Sequence, residues 1–393
     1  MAPKLINAVI TAAVRTPVGS FNGSLSKVGA TALGAHAIKH AIAKSGIKPS
    51  QVDEVYMGSV LQANLGQAPA TQAALAAGCE PTTPATTINK VCASGMKAVM
   101  LAAQNIQTGM ASVMVAGGME SMSNAPYLAP RGAAYGHQQL TDSIIKDGLW
   151  DAYDQVHMGS CAERTASKYK LSREVQDEHA IESYRRAAAA WENGTFDAEV
   201  APITLSTRKG EVTVARDEEF TKVNFAKVPS LATVFKKEGG TVTAANSSTL
   251  NDGASALVVM AEERARDLAG AVQPLARIVS YADAATHPYE FTIAPALAIP
   301  IALRRAGLSL SDISLFELNE AFSVVARVNE LLLDLDPAKV NVAGGAVALG
   351  HPIGSSGSRI LVTLTHLLKP GQFGVASVCN GGGGASAIVI QRL

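Results

Sequence analysis

Two distant parts of the chain repeat one layout: a turn of small residues, a helical run, a strand and a pair of glycines. The first copy spans Val91–Gly118 and the second spans Ile353–Gly382. Because an αβ unit buries its apolar face only against neighbouring units, a repeated layout favours a duplicated domain with a pseudo-twofold axis. Such an axis would bring the two turns together, with Cys92 facing Ser355. The alternative is that unrelated αβ units share this layout.

Elsewhere, strand-like and helical runs alternate along the chain. Asn7–Val14 and Val52–Val60 have the composition of buried strands. Each is followed by a run with apolar residues at helical spacing, Thr31–Ser45 and Ala68–Ala77. This alternation predicts an α/β fold, with helices packed on both faces of a sheet.

Composition excludes several classes of protein. A chain of 393 residues is long enough for two or three domains. Hydrophobic residues make up 48% and charged residues 17%, which excludes a disordered chain. Lys+Arg and Asp+Glu are both 33, so no basic field attracts nucleic acid. The longest apolar runs fall short of the about 20 residues that a membrane-spanning helix needs.

Charged residues become denser between about residues 121 and 240, where a helix is expected over Arg173–Gly194. This change predicts an inserted, more solvated subdomain. The four cysteines of so long a chain form no disulfide framework, and they indicate a reducing compartment.

Cys92 stands where a strand-like run, Thr87–Val91, meets a helix that begins near Ser94. Unpaired N–H groups and the positive end of the helix dipole favour a thiolate at such a position. A reactive nucleophile is therefore one interpretation. The other is a small buried hydrophobic residue, which is the common role of a free cysteine.

His351 lies beside a proline in a glycine-dense loop, Gly344–Gly354. Little bulk surrounds it, so a substrate could approach closely. If the duplication holds, His351 is the natural base for Cys92. The alternative is a structural histidine.

Cys379 stands directly before Asn380 and four consecutive glycines. No Lys-Ser/Thr follows, so this is not a P-loop, and we expect backbone N–H groups aimed at an oxyanion. Asn319 follows the strand-like run Leu315–Leu318 and could orient a water or cap a helix. No Cys or His pair stands at metal-ligand spacing.

Four motifs follow one another along the chain. They are Asn89–Gly95, Asn319–Phe322, Gly345–Gly354 with its Gly-His-Pro core, and Cys379–Gly383. Together they resemble the thiolase family, and the resemblance covers the whole chain. Met119–Asn124 and Asn246–Gly253 are similar to its acetoacetyl-CoA branch, especially the eukaryotic members.

The resemblance implies a fold of two βαβαβαββ halves stacked in five layers, αβαβα. The first half would comprise residues 1–120, completed by about 247–271, and the second half residues 272–393. A loop domain that binds CoA would be inserted over residues 121–246.

The resemblance also implies catalytic roles. Cys92 matches the nucleophile that becomes acetylated, and His351 matches the base that activates it. Cys379 matches the acid/base at the α-carbon of a second acetyl-CoA. Asn319 matches the residue that holds an oxyanion-hole water, and the N–H groups of Cys92 and Gly381 match another oxyanion hole. The implied reaction is the reversible ping-pong condensation of two acetyl-CoA to acetoacetyl-CoA and CoA.

The resemblance implies a CoA site and, in some members, an activating potassium ion. The CoA and acyl residues are Tyr184, Lys222, Val223, Asn224, Lys227, Ser248, His157, Met158 and Phe291. Two lysines suit a phosphorylated ligand. The potassium ligands are Tyr184, the carbonyls of Ala244, Ala245 and Ser247, and Val347. No organic cofactor beyond the CoA substrate is implied.

Phe291 is followed by Thr292, where relatives that also cleave 2-methylacetoacetyl-CoA resemble Phe-Pro. Proline would fix φ near about −65°, and threonine leaves it free. We therefore expect preference for unbranched acetoacetyl-CoA. The alternative is that Phe291 alone sets the pocket.

Competing interpretations remain open at this point. A long-chain 3-ketoacyl-CoA thiolase is the closest, although His157-Met158 favours a narrow short-chain pocket. A β-ketoacyl synthase lacks a second cysteine like Cys379, and an inactive scaffolding protein need not keep the four catalytic positions. We expect a homotetramer, a dimer of dimers, without nucleic-acid or membrane partners. It would reside in the mitochondrial matrix or the cytoplasm; no secretory signal or presequence is visible.

Overall fold

The computed structural model describes residues 5–132, 135–208, 210–268, 270 and 272–393. The expected domain boundary at residue 271 lies outside them. The strands are β1 Ala8–Arg15, β2 Gly19–Ser20, β3 Glu54–Gly58, β4 Ala85–Ile88, β5 Val113–Ser121, β6 Tyr127–Leu128, β7 Thr141–Asp142, β8 Trp150–Asp151, β9 Val156–His157, β10 Ile203–Thr207, β11 Gly210–Val214, β12 Asn251–Ala261, β13 Ala276–Ala285, β14 Ile313–Leu318, β15 Phe373–Asn380 and β16 Gly384–Arg392. The helices are α1 Ala30–Ser45, α2 Pro69–Ala76, α3 Ser94–Gln107, α4 Met158–Tyr169, α5 Arg173–Glu192, α6 Glu262–Asp267, α7 Pro295–Ala306, α8 Ser323–Leu333, α9 Ala346–Leu349 and α10 Ile353–Leu367.

One mixed sheet runs through the molecule in the order β14-β15-β16-β13-β1-β12-β5-β3-β4. Its first four strands come from the C-terminal part of the chain and the other five from the N-terminal part. β3 pairs in parallel with β4 and β5, and β14 pairs in parallel with β15. The two parts join where Val9 and Ile10 of β1 pair with Arg277 and Ala276 of β13.

The chain order of these elements confirms the duplication. The first half is β1-α1-β3-α2-β4-α3-β5-β12, and the second is β13-α7-β14-α8-bridge-α10-β15-β16. The bridge replaces the third strand of the second half: Val340 pairs in parallel with Phe316 of β14. Both halves are thus βαβαβαββ units, as the resemblance implied.

The helices form three layers around the two halves of the sheet. α3 and α10 pack on each other and contact strands of both halves, so they form the central layer. α1 and α2 cover the outer face of the first half, and α7 covers that of the second. The α3–α10 approach is close, because a Cβ on Gly95 would lie 2.4 Å from Ser358 Oγ and one on Gly357 would lie 2.8 Å from Met96 Cβ. The five-layer α/β fold class is therefore confirmed.

The structure differs in two places from the repeated layout of turn, helix, strand and glycine pair. The stretch Ile353–Gly357 is the first turn of α10, not a loop, and its glycines serve helix packing. β5 continues through Gly117 to Ser121. Glycine at position 117 allows the close approach of β12, since a Cβ there would lie 2.0 Å from the Ser255 carbonyl. The two segments do meet, but Ser355 Oγ lies 2.8 Å from Ser255 Oγ and not against Cys92.

Residues between β5 and β12 form α4, α5 and three two-stranded sheets. α5 begins after Ser172, whose hydroxyl accepts from the Val175 N–H, and it ends before Asn193 and Gly194. Gly194 has φ 76°, the left-handed conformation that ends helices. Among the described residues, no helix combines the length and apolar character needed to cross a membrane.

Candidate active site

The segment before α3 forms a strained turn that leads into Cys92. Val91 has φ 49°, a left-handed conformation that is rare for a β-branched residue. The Ser94 hydroxyl fixes the turn, because it accepts from the Lys90 N–H at 2.8 Å and donates to the Val91 carbonyl at 2.6 Å. Such strain costs on the order of 1–3 kcal/mol and persists only where the surroundings hold it.

Lys90 ties the Cys92 turn to the second half. Its ammonium group contacts Asp283 on β13 and donates to Ser386 Oγ on β16 at 2.9 Å. Lys97 on α3 reaches the same carboxylate at 2.7 Å. Burial would raise the pKa of Asp283, but the hydrogen bonds from both lysines lower it to about 2. A charged contact between the two halves therefore holds the turn.

The surroundings of Cys92 keep its thiol protonated. Burial raises the pKa of Cys92 to about 12, although the N–H groups of Gly381 and of Cys92 itself act to lower it. The negative charge of Glu120 adds to the rise. The expected thiolate is therefore wrong for the resting protein, because desolvation outweighs the helix N-terminus. The two N–H groups face the sulfur, at the place where the resemblance implied an oxyanion hole.

His351 is buried, and its two ring nitrogens differ in their hydrogen bonds. Its Nδ1 lies 2.6 Å from Ser356 Oγ, and the Ser356 hydroxyl donates to the Pro352 carbonyl at 2.9 Å. Because a hydroxyl has one proton, Ser356 must accept from Nδ1–H, which leaves the lone pair on Nε2. Within the described part of the chain, Nε2 has no hydrogen-bond partner. Burial, with the charge of Arg359, lowers the pKa of His351 to about 3, so the ring is neutral.

Asn319 lies beside the bonded side of this histidine. Its Nδ2 is 3.5 Å from His351 Nδ1, and its buried Oδ1 has no partner among the residues described. The alternative role as a helix cap is wrong, because α8 begins only at Ser323. The His351 N–H donates to Asn251 Oδ1 at 2.8 Å, which fixes the backbone of the loop.

Cys379 is the second thiol of the site. It lies near the end of β15 and is fully buried. Burial raises the pKa of Cys379, and negative charge on Cys92 raises it further, so the two sulfurs interact. The chain turns directly after it at Gly381–Gly383, where Gly382 and Gly383 both have φ 83°.

An apolar cavity of about 380 Å³ opens over these groups. Of the expected residues, it is lined by Cys92, His351, Gly381, His157, Met158, Ser247, Ser248 and Phe291. It is also lined by Ile144, Leu149 and Phe235, for which sequence analysis predicted no role, and by Met122, Phe322 and Ile353, which lie within the motifs quoted above. Phe235 stacks on His157 with ring centroids 4.7 Å apart, and an isolated aromatic in the charged segment was its only sequence signal. Cys379 and Asn319 lie behind this lining.

Two family models cover nearly the whole chain. The thiolase N-terminal domain matches residues 8–263, and the thiolase C-terminal domain matches residues 272–392. The chain belongs to the thiolase family.

Relatives and a solved structure agree with this assignment. The mitochondrial acetyl-CoA acetyltransferase of Mus musculus is 57% identical over 393 residues, which cover 100% of this chain and 92% of the mouse protein. Acetyl-CoA acetyltransferase B of Xenopus laevis, also named mitochondrial, is 58% identical over 395 residues, with 100% and 94% covered. The Acat5 thiolase of Ascaris suum, crystallised with coenzyme A, has a TM-score of 0.95 and 47% identity, covering 98% of this chain and 100% of that one.

The other expected CoA residues of this thiolase lie outside the cavity lining. They are Tyr184, Lys222, Val223, Asn224 and Lys227. Lys222 contacts Ser20 Oγ and lies 3.3 Å from Glu219, with 54% of its side chain exposed. Asn224 Oδ1 accepts from the Ala226 N–H at 3.2 Å and caps a short turn.

The expected potassium ligands fall in two groups. Tyr184 and Val347 pack in one apolar cluster. Ala244, Ala245 and Ser247 form a turn that the Ser247 hydroxyl closes on the Thr243 carbonyl at 2.7 Å. Burial raises the pKa of Tyr184 to about 12, with the negative charges of Glu219 and Glu320 adding to the rise. Neutral oxygen donors near two carboxylates fit a monovalent cation.

Glu120 is a buried carboxylate for which sequence analysis predicted no role. It accepts the N–H groups of Val60 at 3.0 Å, Leu61 at 3.2 Å and Gly354 at 2.9 Å. Burial raises the pKa of Glu120 to about 7 despite these bonds. Glu120 thus joins the end of β5 to the start of α10, where its partner Gly354 lies three residues after His351. No local pattern predicts this contact, because its partners lie 59, 60 and 234 residues away.

Proposed function

We propose that this thiolase is an acetyl-CoA C-acetyltransferase, which reversibly condenses two acetyl-CoA to acetoacetyl-CoA and CoA. One observation carries the proposal: a buried thiol and a neutral histidine line one apolar cavity, with a second buried thiol behind it, and the histidine Nε2 has no hydrogen-bond partner among the described residues. The names of the mouse and frog relatives support this activity, and the coenzyme A complex of the Ascaris thiolase supports CoA as the ligand.

The first half-reaction acetylates Cys92. His351 Nε2 takes the Cys92 proton as the sulfur attacks the acetyl carbonyl, so no free thiolate is needed beforehand. The N–H groups of Cys92 and Gly381 stabilise the oxygen of the tetrahedral intermediate. CoA leaves as a thiolate and takes the proton of Cys379. The products are acetyl-Cys92, protonated His351, the Cys379 thiolate and free CoA thiol.

The second half-reaction forms the carbon–carbon bond. The Cys379 thiolate removes a proton from the α-carbon of the second acetyl-CoA, and the carbanion attacks acetyl-Cys92. The Cys92 sulfur leaves and recovers its proton from His351, so every group returns to its resting state. Asn319 positions an oxyanion-hole water beside His351. Both cysteines must stay neutral between turnovers, which agrees with their raised pKa values.

The CoA and potassium residues complete the proposed site. Lys222 and Lys227 would face the phosphates, while Tyr184, Val223, Asn224 and Ser248 would contact the rest of CoA. His157, Met158 and Phe291 would surround the acyl group. Tyr184, the carbonyls of Ala244, Ala245 and Ser247, and Val347 would hold potassium. Its charge would order the loop beside Ser247, and the negative charges of Glu219 and Glu320 support a cation there.

We also propose the arrangement and compartment of the protein. Residues 1–120 with 247–271 form the first half, residues 121–246 the CoA-binding domain, and residues 272–393 the second half. A homotetramer and the mitochondrial matrix are favoured, the latter because relatives are named mitochondrial.

Mass spectrometry after incubation with acetyl-CoA tests the mechanism. Wild type should gain one acetyl group on Cys92, and Cys92→Ala should gain none. Cys379→Ala should still become acetylated, because the leaving CoA thiolate can take its proton from water instead, but it should form no acetoacetyl-CoA, because no group removes the α-proton. An acetyl group found on Cys379 of wild type would reverse the two roles. Loss of acetylation in both variants would contradict the division of labour.

A further inference from the structure

Two buried threonines join helix α4 to the turn before α7. Thr165 on α4 and Thr292 in the turn before α7 are 5% and 0% exposed, and their hydroxyl oxygens lie 2.6 Å apart. We propose that the Thr165–Thr292 hydrogen bond sets the width of the cavity and makes both threonines specificity-determining positioning residues. The inference rests on the proposed function.

The bond joins two elements that each carry an apolar residue of the cavity lining. We call Met158, Phe291 and Phe322 the acyl wall; all three line the cavity and pack in one apolar cluster. Met158 begins α4, the helix that carries Thr165, and Phe291 directly precedes Thr292. The hydrogen bond therefore links the two elements that carry Met158 and Phe291.

The other end of Thr292 is also held. Its carbonyl accepts from Asn329 Nδ2 on α8 at 2.8 Å, and Asn329 Oδ1 accepts from the Ala296 N–H at 2.8 Å. Phe322, the third member of the acyl wall, directly precedes α8. Thr292 thus joins α4 through its hydroxyl and α8 through its carbonyl. Its role goes beyond the backbone freedom that distinguishes threonine from proline.

The direction of the hydrogen bond follows from the neighbouring contacts. Thr165 Oγ1 donates to the Cys161 carbonyl one turn earlier, at 3.2 Å. Because each hydroxyl has one proton, Thr292 donates and Thr165 accepts. Removing the Thr165 hydroxyl leaves a buried donor without an acceptor. Removing the Thr292 hydroxyl leaves Thr165 with its Cys161 bond, so the two losses differ in cost.

The test compares thiolysis of acetoacetyl-CoA with that of 3-oxohexanoyl-CoA, whose acyl chain is two methylenes longer. We expect Thr292→Val and Thr165→Val to raise the ratio of kcat/KM for 3-oxohexanoyl-CoA to kcat/KM for acetoacetyl-CoA about tenfold. A change in the fit of one methylene in an apolar pocket alters specificity by about 10–200-fold. Most of the change should appear in KM for the longer substrate, since a wider wall alters binding more than chemistry. Thr292→Ser and Thr165→Ser keep the hydroxyls and should keep the wild-type ratio.

Thr11→Val is the matched control. Thr11 Oγ1 lies 2.7 Å from Ser45 Oγ, another buried hydroxyl pair between two elements, but away from the cavity. It should lose stability and keep the substrate ratio. Thermal unfolding should also rank Thr165→Val below Thr292→Val, because only the former leaves a donor unpaired.

Two results would overturn the inference. An unchanged ratio in both valine variants, or a change of equal size in Thr11→Val, would mean that the bond serves stability alone. A wild type that cleaves neither substrate would overturn the proposed function as well, and the two failures are therefore distinguishable.

Discussion

At the scale of single residues, burial decides the charge state of the site. Cys92, with a pKa of about 12, and His351, with a pKa of about 3, are both neutral at rest. The proton moves from Cys92 to His351 only as the sulfur attacks a thioester, because the negative charge then forms on the thioester oxygen. This arrangement protects the thiol from indiscriminate reaction, because the thiolate is the reactive species. A sequence shows that Cys92 precedes a helix, but burial depends on contacts with Gly381 and the second half, which no local pattern contains.

The pKa of His351 predicts how stability changes with pH. Its value falls from 6.5 to about 3 on folding, so between these values the unfolded chain binds a proton that the folded chain does not. Stability contributed by this residue is therefore present above pH 6.5 and lost as pH falls, by about 1.4 kcal/mol per unit at most. His351→Gln should lack this component. Urea unfolding from about pH 7.5 down to about pH 4.5 should show wild type losing stability faster than the variant.

Subtracting the two curves isolates the histidine. Glu120 and Glu317, whose burial raises their pKa values to about 7 and about 8, contribute with the opposite sign in both proteins. Parallel curves for wild type and His351→Gln would mean that the imidazole titrates normally in the folded state.

At the scale of elements, the spacing of apolar residues and the turn-forming residues predict whether a segment is a helix or a strand. They do not predict which contact requires its small residues. The helix expected over Thr31–Ser45 is α1, Ala30–Ser45, and the strand expected over Asn7–Val14 is β1, Ala8–Arg15. The glycines of Ile353–Gly357 looked like a turn because glycine is permissive. They lie inside α10 because α3 packs against it, a contact between residues more than 250 positions apart.

The α3–α10 contact can be tested at Gly357. A Cβ there would lie 2.8 Å from both the Cβ and the backbone nitrogen of Met96, and a backbone atom cannot move aside cheaply. Gly357→Ala should destabilise the protein by about 1–3 kcal/mol through overpacking, despite the better helix propensity of alanine. Gly29→Ala is the control, since nothing lies within 4 Å of its Cβ position. Thermal unfolding midpoints compare them, and equal midpoints would show that the helices separate without penalty.

At the scale of the whole molecule, one buried ionic cluster holds three parts of the chain together. Arg15 at the end of β1 donates to Asp217 at 2.7 and 3.0 Å and to Glu199 at 2.5 Å, and all three side chains are at most 1% exposed. Both carboxylates belong to the segment between β5 and β12. Glu199 also accepts from Thr363 on α10 at 3.1 Å, and Trp191 Nε1 donates to Asp217 at 3.1 Å. The Arg15 cluster therefore connects the first half, the segment after β5 and helix α10 of the central layer.

This cluster predicts an unequal response to two arginine substitutions. Arg15→Met fills similar space but leaves two buried carboxylates without their cation, which should cost about 3–5 kcal/mol. Arg15→Lys keeps the charge and loses the paired bonds to Asp217, so its loss should be intermediate. Arg266→Met is the control: Arg266 is 70% exposed and pairs with Glu262 at 3.0 Å, where an ion pair contributes about 0–1 kcal/mol. We expect Arg15→Met to lower the unfolding midpoint most and to open the 121–246 segment to proteolysis before the rest of the chain, because both carboxylates lie there. Equal midpoints for Arg15→Met and Arg266→Met would show that protonation or hydration of the two carboxylates costs no stability. Apolar packing alone would then hold the three parts together.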